Sequence, residues 1–581
     1  MSVVSVISVM CGIFYYEAFG SSRIPMHTLN GLQQNFAKIS HRGPDNSRFV
    51  VCGQRCIGFH RLAINGLTPA GDQPFNLLGC ELVCNGEIYN HRQLIEKHGL
   101  NCVSGSDCEV IVHLYKLFNG DMCATLRELD GVFSLVLVDQ ERDLVHVARD
   151  PFGVRSLYIG SSSDYEGDIS VASEMKALQH CDYVEQFPGG CCMTVRKTTT
   201  TFGTQLQAYY PKLTVAEAQD VPYIYNFGTA SFGDDIHAPP AVLEASACAL
   251  VRDLFESAVC KRLMSERPVG CLLSGGLDSS IVTALVVKHS PGTTVDTYAV
   301  GLEGSVDLKW ARRVSEYLGT RHHEVCLTEQ QFLDAIDATI YQIESYDTTT
   351  VRASVGNYLV SKYIYDNTDN VVIFCGDMSD EIFGSYRGFT KAPSDHAFAG
   401  DNVRMVRDVR FFDLLRSDKS ISGAGLEARV PFADKAFLEC VMSLPPWMKR
   451  FGEGAEHAVE KHLLRRAFET LLPEDVMWRR KEAFSDGVSG HDRTWVQIIK
   501  EYVDTRVSDV ELSVANDLHK FKHNAPYDKE SYYYRTIFAQ CFPGGGRAET
   551  IPYFWRHPFC EGVLDPSARL LKDVYSAENQ C

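Results

Sequence analysis

A serine- and glycine-rich segment, Ser-Gly-Gly-Leu-Asp-Ser at residues 274–279, restricts the fold of the second half of the chain more than any other feature. It follows an apolar run at 269–273 and precedes a predicted helix at 278–288. Two adjacent glycines permit a tight turn that directs backbone N–H groups at an anion, and the helix start adds partial positive charge. The order of strand, loop and helix predicts an α/β domain, with a phosphate-binding site at the end of a parallel strand.

Further strands and helices alternate after this loop. An apolar strand at 296–301 leads into a helix at 307–318, and another strand follows at 370–374. The helix has Ser305 before it as a capping residue and Gly319 after it as a stop signal. This alternation predicts a parallel sheet that is covered by helices on both faces.

The first half of the chain is richer in short strands. Turn residues such as Asn85-Gly86 and Pro151-Phe152-Gly153 separate apolar runs, and two helical stretches interrupt them at 29–39 and 108–118. The predicted strands are 57–64, 81–84, 131–138, 144–147 and 171–172. A polar segment at 197–240 begins with four threonines, and its later part reads as a linker, although a solvated hairpin would look the same.

The composition excludes several classes of protein. The chain has 581 residues, a formal charge of −18 and 45% hydrophobic residues, which is typical of a globular protein with more than one core. The acidic balance argues against nucleic-acid or anionic-membrane partners, and no apolar run is long enough to cross a bilayer. The 20 cysteines show no C-x-x-C pair, and no secretory signal is evident, so we expect reduced thiols in a cytoplasmic protein.

Several motifs give the chain a family resemblance. Residues 274–279 are similar to the pyrophosphate loop of the ATP pyrophosphatase family, and the loop lacks the G-K-[ST] ending of a Walker motif. Downstream segments resemble the glutamine-hydrolysing asparagine synthetases, in order along nearly the whole chain. These segments are 301–309, 346–354, 375–384, 426–432, 481–488 and 565–569.

The resemblance assigns roles in the second half. It makes Asp278 and Asp380 ligands of the Mg²⁺ that accompanies ATP, and Lys481 a catalytic cation that binds phosphate. From charge patterning alone, Lys481 would read as a surface lysine. Thr349 and Arg352 match residues associated with aspartate. The ATP-binding positions are Leu272, Ser274, Gly275, Gly276, Asp278, Ser279, Val300, Cys375 and Gly376.

The second half departs from the family pattern at one place. Members often have Ser-Gly-Glu or Ser-Gly-Asp where this chain has Cys375-Gly376-Asp377, and Met378 replaces a common glycine. Asp377 keeps a carboxylate at this catalytic position, but the side chain of aspartate is shorter than that of glutamate. We expect Cys375 to contact ATP through its backbone.

Residues 10–13, Met-Cys-Gly-Ile, resemble the start of the class II amidotransferases. The resemblance implies an αββα N-terminal-nucleophile fold in which the Cys11 thiolate attacks glutamine and its α-amine acts as the base. It places Asn85 and Gly86 in the oxyanion hole, and Arg61 and Asp107 at the substrate's carboxylate and ammonium groups. Alone, Asn85-Gly86 would read as a hairpin turn. The glutamine-binding set is Arg61, Leu62, Ala63, Ile64, Asn65, Asn85, Gly86, Glu87 and Asp107.

The position of Cys11 raises a question about the mature chain. Residues 1–9 precede Met10, and a peptide-bonded Cys11 has no free α-amine. Three explanations compete: translation begins at Met10, a leader is removed, or the glutaminase is inactive. We favour the first two. The predicted organisation is an extension at 1–10, a glutaminase domain at 11–210, a linker at 211–240 and a synthetase domain at 241–581.

The two motif sets predict synthesis of asparagine from aspartate, ATP and glutamine, through a β-aspartyl adenylate and internally transferred ammonia. Two alternatives remain from the residues: a related synthetase that forms a β-lactam, and an inactive relative retained as a binding or storage protein. Cys11 argues against the first, and Asp278 with Asp380 against the second. The expected partners are small molecules. The oligomeric state stays open, with a homodimer as the working hypothesis.

Overall fold

The computed structural model describes residues 11–18, 23–162, 168–197, 202–211, 239–479, 484–544, 546–560 and 562. Its first half contains twelve described strands: β1 Gly12–Ala18, β2 Asn46–Cys52, β3 Arg55–Arg61, β4 Phe75–Leu77, β5 Cys80–Ile88, β6 Gly131–Asp139, β7 Leu144–Arg149, β8 Tyr158–Ser161, β9 Asp168–Ala172, β10 Tyr183–Gln186, β11 Cys191–Lys197 and β12 Phe202–Ala208. They form two six-stranded antiparallel sheets, ordered β10-β8-β9-β1-β3-β2 and β12-β11-β7-β6-β5-β4.

The two sheets pack face to face because their strands alternate side chains between two buried surfaces. Ile13 and Tyr15 of β1 share one apolar cluster with Val136 and Val138 of β6. The opposite face of β1 packs against the first of four described helices, which are α1 Met26–Ala37, α2 His91–His98, α3 Val110–Leu117 and α4 Met122–Glu128. The layers are therefore helix, sheet, sheet and helix, and the predicted αββα fold is confirmed.

The second half is built on a parallel sheet. Its strands are β13 Val269–Leu272, β14 Asp296–Leu302, β15 Arg321–Leu327, β16 Val372–Phe374 and β17 Glu427–Arg429. They pair in the order β15-β14-β13-β16-β17, all parallel. Strands β14, β16 and β17 are buried along their full lengths, as a sheet covered on both faces requires. The predicted α/β fold is confirmed.

Sixteen described helices accompany this sheet: α5 Pro240–Arg262, α6 Leu277–Lys288, α7 Val306–Leu318, α8 Glu329–Asp334, α9 Ile336–Ile343, α10 Thr348–Asn367, α11 Ser379–Phe383, α12 Asp395–Asp408, α13 Asp413–Ser422, α14 Lys435–Ser443, α15 His462–Ala467, α16 Glu474–Met477, α17 Phe484–Gly487, α18 Trp495–Asp504, α19 Asp509–Asp517 and α20 Lys529–Cys541. Helix α7 begins at a Ser305 cap and ends at a left-handed Gly319, as predicted. Within the described residues, no helix has the length and apolarity that crossing a bilayer requires.

One local prediction is wrong. Asn85-Gly86 does not form a turn between strands but lies inside β5, where Gly86 pairs with Phe133 of β6. Gly86 has a φ of 156°, and a Cβ at this position would lie 2.1 Å from the carbonyl oxygen of Val132. The glycine is therefore required by close strand approach and not by a hairpin.

The two halves meet through a buried network of charged side chains. Asp418 of α13 accepts hydrogen bonds from Arg42 (3.1 Å) and Ser156 (2.7 Å) and lies 3.5 Å from Arg155. Arg155 in turn lies 3.3 Å from Glu427 of β17. None of these four charged side chains is more than 5% exposed. The interface is therefore specified by ionic contacts that span the two domains.

Replacing Asp418 with alanine is expected to lower the free energy of unfolding by about 3 kcal/mol, because two buried arginines would lose a counter-charge. Burial raises the pKa of Asp418, but attraction to Arg42 and Arg155 outweighs it and the pKa is lowered. The stabilisation should therefore be present above the ordinary aspartate pKa and be lost as pH falls through the lowered value. Urea and thermal denaturation at several pH values would measure it.

The control for this variant is Glu469→Ala, which removes an exposed partner of Arg466 and should change stability by less than about 1 kcal/mol. An Asp418→Ala protein as stable as the wild type would contradict the assignment of Asp418 as the central anion of the interface.

Candidate functional site

Cys11 lies directly before β1 in the first half. Pairing of Gly12 with His60 of β3 brings the Cys11 Sγ atom to 3.4 Å from both the backbone nitrogen and the carbonyl oxygen of Leu62. Burial raises the pKa of the Cys11 thiol to about 12, although the Leu62 contact opposes this. The sulfur is therefore a thiol at neutral pH and needs a base to become a nucleophile.

A small cavity adjoins Cys11 and gathers most of the predicted glutamine residues. Ala63 does not line it, and its backbone nitrogen donates to Asp45 at 2.8 Å. Asn85 also lies outside the lining, one residue from Gly86. The predicted residues that line the cavity are Cys11, Arg61, Leu62, Ile64, Asn65, Gly86, Glu87 and Asp107.

Asn85, which precedes the cavity residue Gly86, has an unpaired donor. Its side chain is 1% exposed, and its Nδ2 atom has no hydrogen-bond partner within the described residues. A buried amide without a partner is costly, by about 1–3 kcal/mol, so native proteins keep such groups where a ligand or water can pair with them. The Nδ2 group of Asn85 is therefore available to a ligand or a water molecule.

The charged residues of this pocket are fixed by neighbours that the sequence did not reveal. Arg61 donates to Asp72 at 2.6 Å, and Glu87 accepts from Asn65 at 2.7 Å and lies 3.4 Å from Arg429. Burial, with the nearby charge of Asp107, raises the pKa of Glu87 well above its ordinary value. No sequence pattern links Asp72 or Arg429 to the pocket, because these contacts arise from folding.

The serine-glycine loop occupies the expected place in the second half. It connects β13 to α6, where β14 and β16 lie on opposite sides of β13, and this switch point is where open α/β sheets bind ligands. Gly275 has a φ of 71°, and a Cβ there would lie 2.3 Å from the backbone of Trp310. The hydroxyl groups of Ser274 and Ser279 lie 3.1 Å apart and shape the loop.

A cavity of about 190 Å³ opens beside this loop. Gly275 does not line it, since its role is the turn itself. The predicted residues that do are Leu272, Ser274, Gly276, Asp278, Ser279, Val300, Thr349, Cys375, Gly376, Asp377 and Asp380. Lys481 lies outside the described residues.

Two carboxylates converge on one cation in this cavity. Lys461 Nζ lies 2.5 Å from Asp278 Oδ2 and 2.7 Å from Asp380 Oδ1. Ser379 donates to the second oxygen of Asp278 at 2.9 Å. Two aspartates whose oxygens already surround a positive charge fit the oxygen-rich coordination that Mg²⁺ prefers. Lys461 was not predicted, because an isolated lysine carries no motif.

Asp377 is held from one side of the cavity. Arg416 donates to its Oδ1 atom at 2.6 Å, and the hydroxyl of Ser417 donates to its Oδ2 atom. The carboxylate of Asp377 raises the pKa of Cys375, although burial is the larger cause. The backbone nitrogen of Cys375 donates to the carbonyl of Arg429. Met378, which replaces a common glycine of the family, has a φ of 76°, in the left-handed region that favours glycine.

Thr349 and Arg352 separate in the structure. Thr349 faces the cavity, and its hydroxyl is buried without a partner within the described residues. Arg352, one turn later on α10, instead forms a buried bidentate pair with Glu530 at 2.7 and 2.6 Å. Arg352 does not line the cavity.

The two cavities are linked through Arg429. Its guanidinium lies 3.4 Å from Glu87 in the Cys11 pocket, while its carbonyl oxygen accepts from Cys375 N at 3.0 Å in the second cavity. Arg429 is fully buried. One residue of β17 therefore contacts residues of both sites.

Comparisons with known proteins match both halves of the chain. The family model described as asparagine synthase matches residues 250–404 and 393–557, and the glutamine amidotransferase domain model matches residues 10–195. The glutamine-hydrolysing asparagine synthetase of Gallus gallus is 39% identical over 98% of this chain and 100% of its own length. The enzyme of Homo sapiens is 39% identical with the same coverage of both chains.

One similar solved structure is the glutamine phosphoribosylpyrophosphate amidotransferase from B. subtilis, in complex with ADP and GMP. Its TM-score is 0.30 at 16% sequence identity, and the match covers 54% of this chain and 81% of that chain. The glutamine amidotransferase model matches the antiparallel first half, and the asparagine synthase model matches the parallel-sheet second half. The synthetase relatives match nearly the whole chain. The chain therefore belongs to the family of glutamine-hydrolysing asparagine synthetases.

Proposed function

We propose that the two cavities divide one reaction, with glutamine hydrolysis at Cys11 and activation of aspartate beside the serine-glycine loop. By family the chain is a carbon–nitrogen ligase that uses ATP, aspartate and glutamine to make asparagine, and neither alternative from the sequence is favoured. The main observation in support of two cooperating sites is that Arg429 contacts both Glu87 and Cys375.

In the second cavity, the side-chain carboxylate of aspartate would attack the α-phosphate of ATP and release pyrophosphate. The loop residues Ser274 and Gly276 would bind the departing phosphates through N–H and O–H donors. Lys461, and Lys481 by family resemblance, would neutralise the charge that develops on them. Thr349 offers an unpaired hydroxyl to the aspartate substrate, and Arg352 would fix α10 through Glu530.

Asp278 and Asp380 would hold Mg²⁺ in the same proposal. A bound Mg²⁺ offsets negative charge on the phosphates of ATP. In this structure Lys461 lies between the two carboxylates. When ATP binds, the two carboxylates would therefore have to interact with both the lysine and the metal. Asp377, held by Arg416, would act on the incoming nucleophile as a catalytic carboxylate.

At the first cavity, the Cys11 sulfur would attack the side-chain amide of glutamine and form a thioester, with ammonia as the leaving group. Asn85 and the backbone of Gly86 would stabilise the oxyanion, and water would then release glutamate. A thiol with a pKa near 12 needs a base, and the free α-amine of a processed Cys11 would supply it. Arg61 and Asp107 would bind the two α-substituents of the substrate.

Ammonia would then cross the domain interface and attack the β-aspartyl adenylate, giving asparagine and AMP. The buried contacts of Arg429 support an internal route, because they hold the two cavities on opposite sides of one residue. The measurement that tests the whole proposal is pyrophosphate release with aspartate, comparing glutamine and ammonium as donors and identifying the product. Product asparagine supports it, and a cyclised product or no pyrophosphate would overturn it.

Replacing Asn85 with alanine is expected to lower kcat for glutamine hydrolysis by about 10²–10³-fold, the usual effect of removing one oxyanion donor. Ammonium-dependent synthesis should be unchanged, because Asn85 lies in the other domain. A matched control is Asn76→Ala, which removes an exposed amide from β4 of the same domain. Equal loss of both activities would contradict the role.

The domain boundaries, location and assembly belong to the proposal as well. We place the glutaminase at 11–210, the linker at 211–240 and the synthetase at 241–581, since β12 ends at Ala208 and α5 begins at Pro240. Residues 1–10 and 212–238 lie outside the described residues.

Free thiols at all described cysteines support a cytosolic location. A homodimer would be tested by light scattering.

A further inference from the structure

Three potential metal ligands meet at a place that neither cavity includes. Glu244 lies on α5, His457 precedes α15, and His462 is the first residue of α15. One ring nitrogen of each histidine and one carboxylate oxygen of Glu244 all lie within 4.8 Å of one another. His462 Nε2 is already 3.3 Å from Glu244 Oε1. The fold therefore assembles these side chains from two separate segments of the chain.

His457 is the unusual member of the group. Its side chain is 8% exposed, and its Nε2 atom has no hydrogen-bond partner within the described residues. Its ring stacks on that of His462 with centroids 4.1 Å apart. A buried ring nitrogen without a partner costs free energy unless a ligand pairs with it. Stacking explains the position of the ring but does not satisfy this nitrogen.

The other two members of the group are partly exposed, since the side chains of His462 and Glu244 are 24% and 23% exposed. An imidazole nitrogen and a carboxylate oxygen are both common metal donors in proteins. The cluster thus offers two nitrogen donors and one oxygen donor.

We propose that Glu244, His457 and His462 bind a divalent transition metal of the Zn²⁺ type, with water in the remaining position. Mixed imidazole and carboxylate donors suit such ions, whereas Mg²⁺ prefers oxygen ligands. Metal–ligand bonds of about 2.0–2.2 Å in a tetrahedral site set its ligands about 3.3 Å apart, which the His462–Glu244 separation already matches. Rotation of these two partly exposed side chains would bring both toward His457.

The position of this cluster relates it to the cavity beside the serine-glycine loop, the proposed ATP cavity. Lys461, which holds Asp278 and Asp380, lies directly before His462 and has a φ of 54°. An ion bound by both histidines and by Glu244 would tie the segment that carries Lys461 to α5. The cluster itself does not line the cavity, so this ion would be separate from the Mg²⁺ that accompanies ATP.

The test uses the full chain, first dialysed against a chelator and then titrated with Co²⁺ or Zn²⁺ in the presence of excess Mg²⁺. We expect one bound ion by calorimetry and visible d–d absorption from Co²⁺. Glu244→Gln and His462→Gln should each weaken binding by at least about 10–100-fold, since even outer-shell changes have effects of that size. The control His27→Gln removes an exposed imidazole from α1 and should bind like the wild type.

Either of two binding results would overturn the proposal, and so would one spectroscopic result. One is the absence of Co²⁺ and Zn²⁺ binding by the wild type, and the other is unchanged affinity in both cluster variants. A thiolate charge-transfer band from bound Co²⁺ would instead place the ion at a cysteine, and Cys102 with Glu109 and His113 is the other group of this kind within the described residues. Glu244→Gln keeps the shape of its side chain, so its result does not depend on a change of fold.

Discussion

Asp278→Ala is expected to reduce pyrophosphate release by on the order of 10³-fold or more, with glutamine and with ammonium alike. Asp278 lines the ATP cavity at the start of α6, and its carboxylate lies 2.5 Å from Lys461. In the proposed function Asp278 holds Mg²⁺, and its loss would remove several kcal/mol of charge stabilisation in the transition state; about 4 kcal/mol corresponds to that factor. The measurement is pyrophosphate formed per enzyme per second at saturating aspartate.

The matched control is Asp475→Ala, which removes an exposed carboxylate that pairs with Arg313 and should leave pyrophosphate release unchanged. Asp278→Asn keeps the size of the side chain and separates loss of charge from loss of packing. Glutamine hydrolysis should continue in all three variants. If Asp278→Ala released pyrophosphate at the wild-type rate, the assignment of the serine-glycine loop as the ATP site would be wrong.

Cys11→Ala is expected to abolish glutamine-dependent asparagine synthesis while ammonium-dependent synthesis continues at the wild-type rate. The sulfur is the sole nucleophile that the proposed hydrolysis uses, and it sits against Leu62 in the pocket lined by Arg61 and Glu87. Without it, no thioester can form and ammonia is not released from glutamine. Asparagine and glutamate would be quantified with each nitrogen donor.

The control for this variant is Cys326→Ala at an exposed thiol on β15, which should support both reactions. Replacement of Cys11 could also disturb the interface, because its carbonyl oxygen accepts from Arg42 at 3.2 Å. That contact uses the backbone and is kept in the alanine variant. Loss of the ammonium-dependent reaction in Cys11→Ala would refute the division of labour between the two cavities.

The motif at residues 274–279 predicted its own surroundings because each part has a local physical cause. The apolar run became β13, the glycines formed the turn, and α6 began at Leu277. The capping residues around α7 also predicted both ends of this helix. The side chain of Ser305 accepts a hydrogen bond from the backbone nitrogen of Leu308, and Gly319 adopts the left-handed conformation. Such features depend on a few consecutive residues, so the sequence contains all that is needed to predict them.

Other parts of the site could not be predicted in this way. Asn85-Gly86 read locally as a turn, yet pairing with β6 and the close approach of Val132 place it within β5. Arg352 matched an aspartate-binding position, but its guanidinium pairs with Glu530, which lies 178 residues away in the chain. Lys461 and Arg416 line the ATP cavity without belonging to any motif that the sequence analysis identified. Each depends on contacts between distant segments.

By itself, the sequence determined the two fold classes and predicted the phosphate loop, the nucleophile and many of the residues that line the two cavities, because periodicity and short motifs are local properties. Only the tertiary structure decided how those sites are held and joined. It brought Lys461 between Asp278 and Asp380, placed Arg429 against both Glu87 and Cys375, and assembled Glu244 with two histidines. The physical reason is that charge pairing and burial act between residues adjacent in space, whatever their separation along the chain.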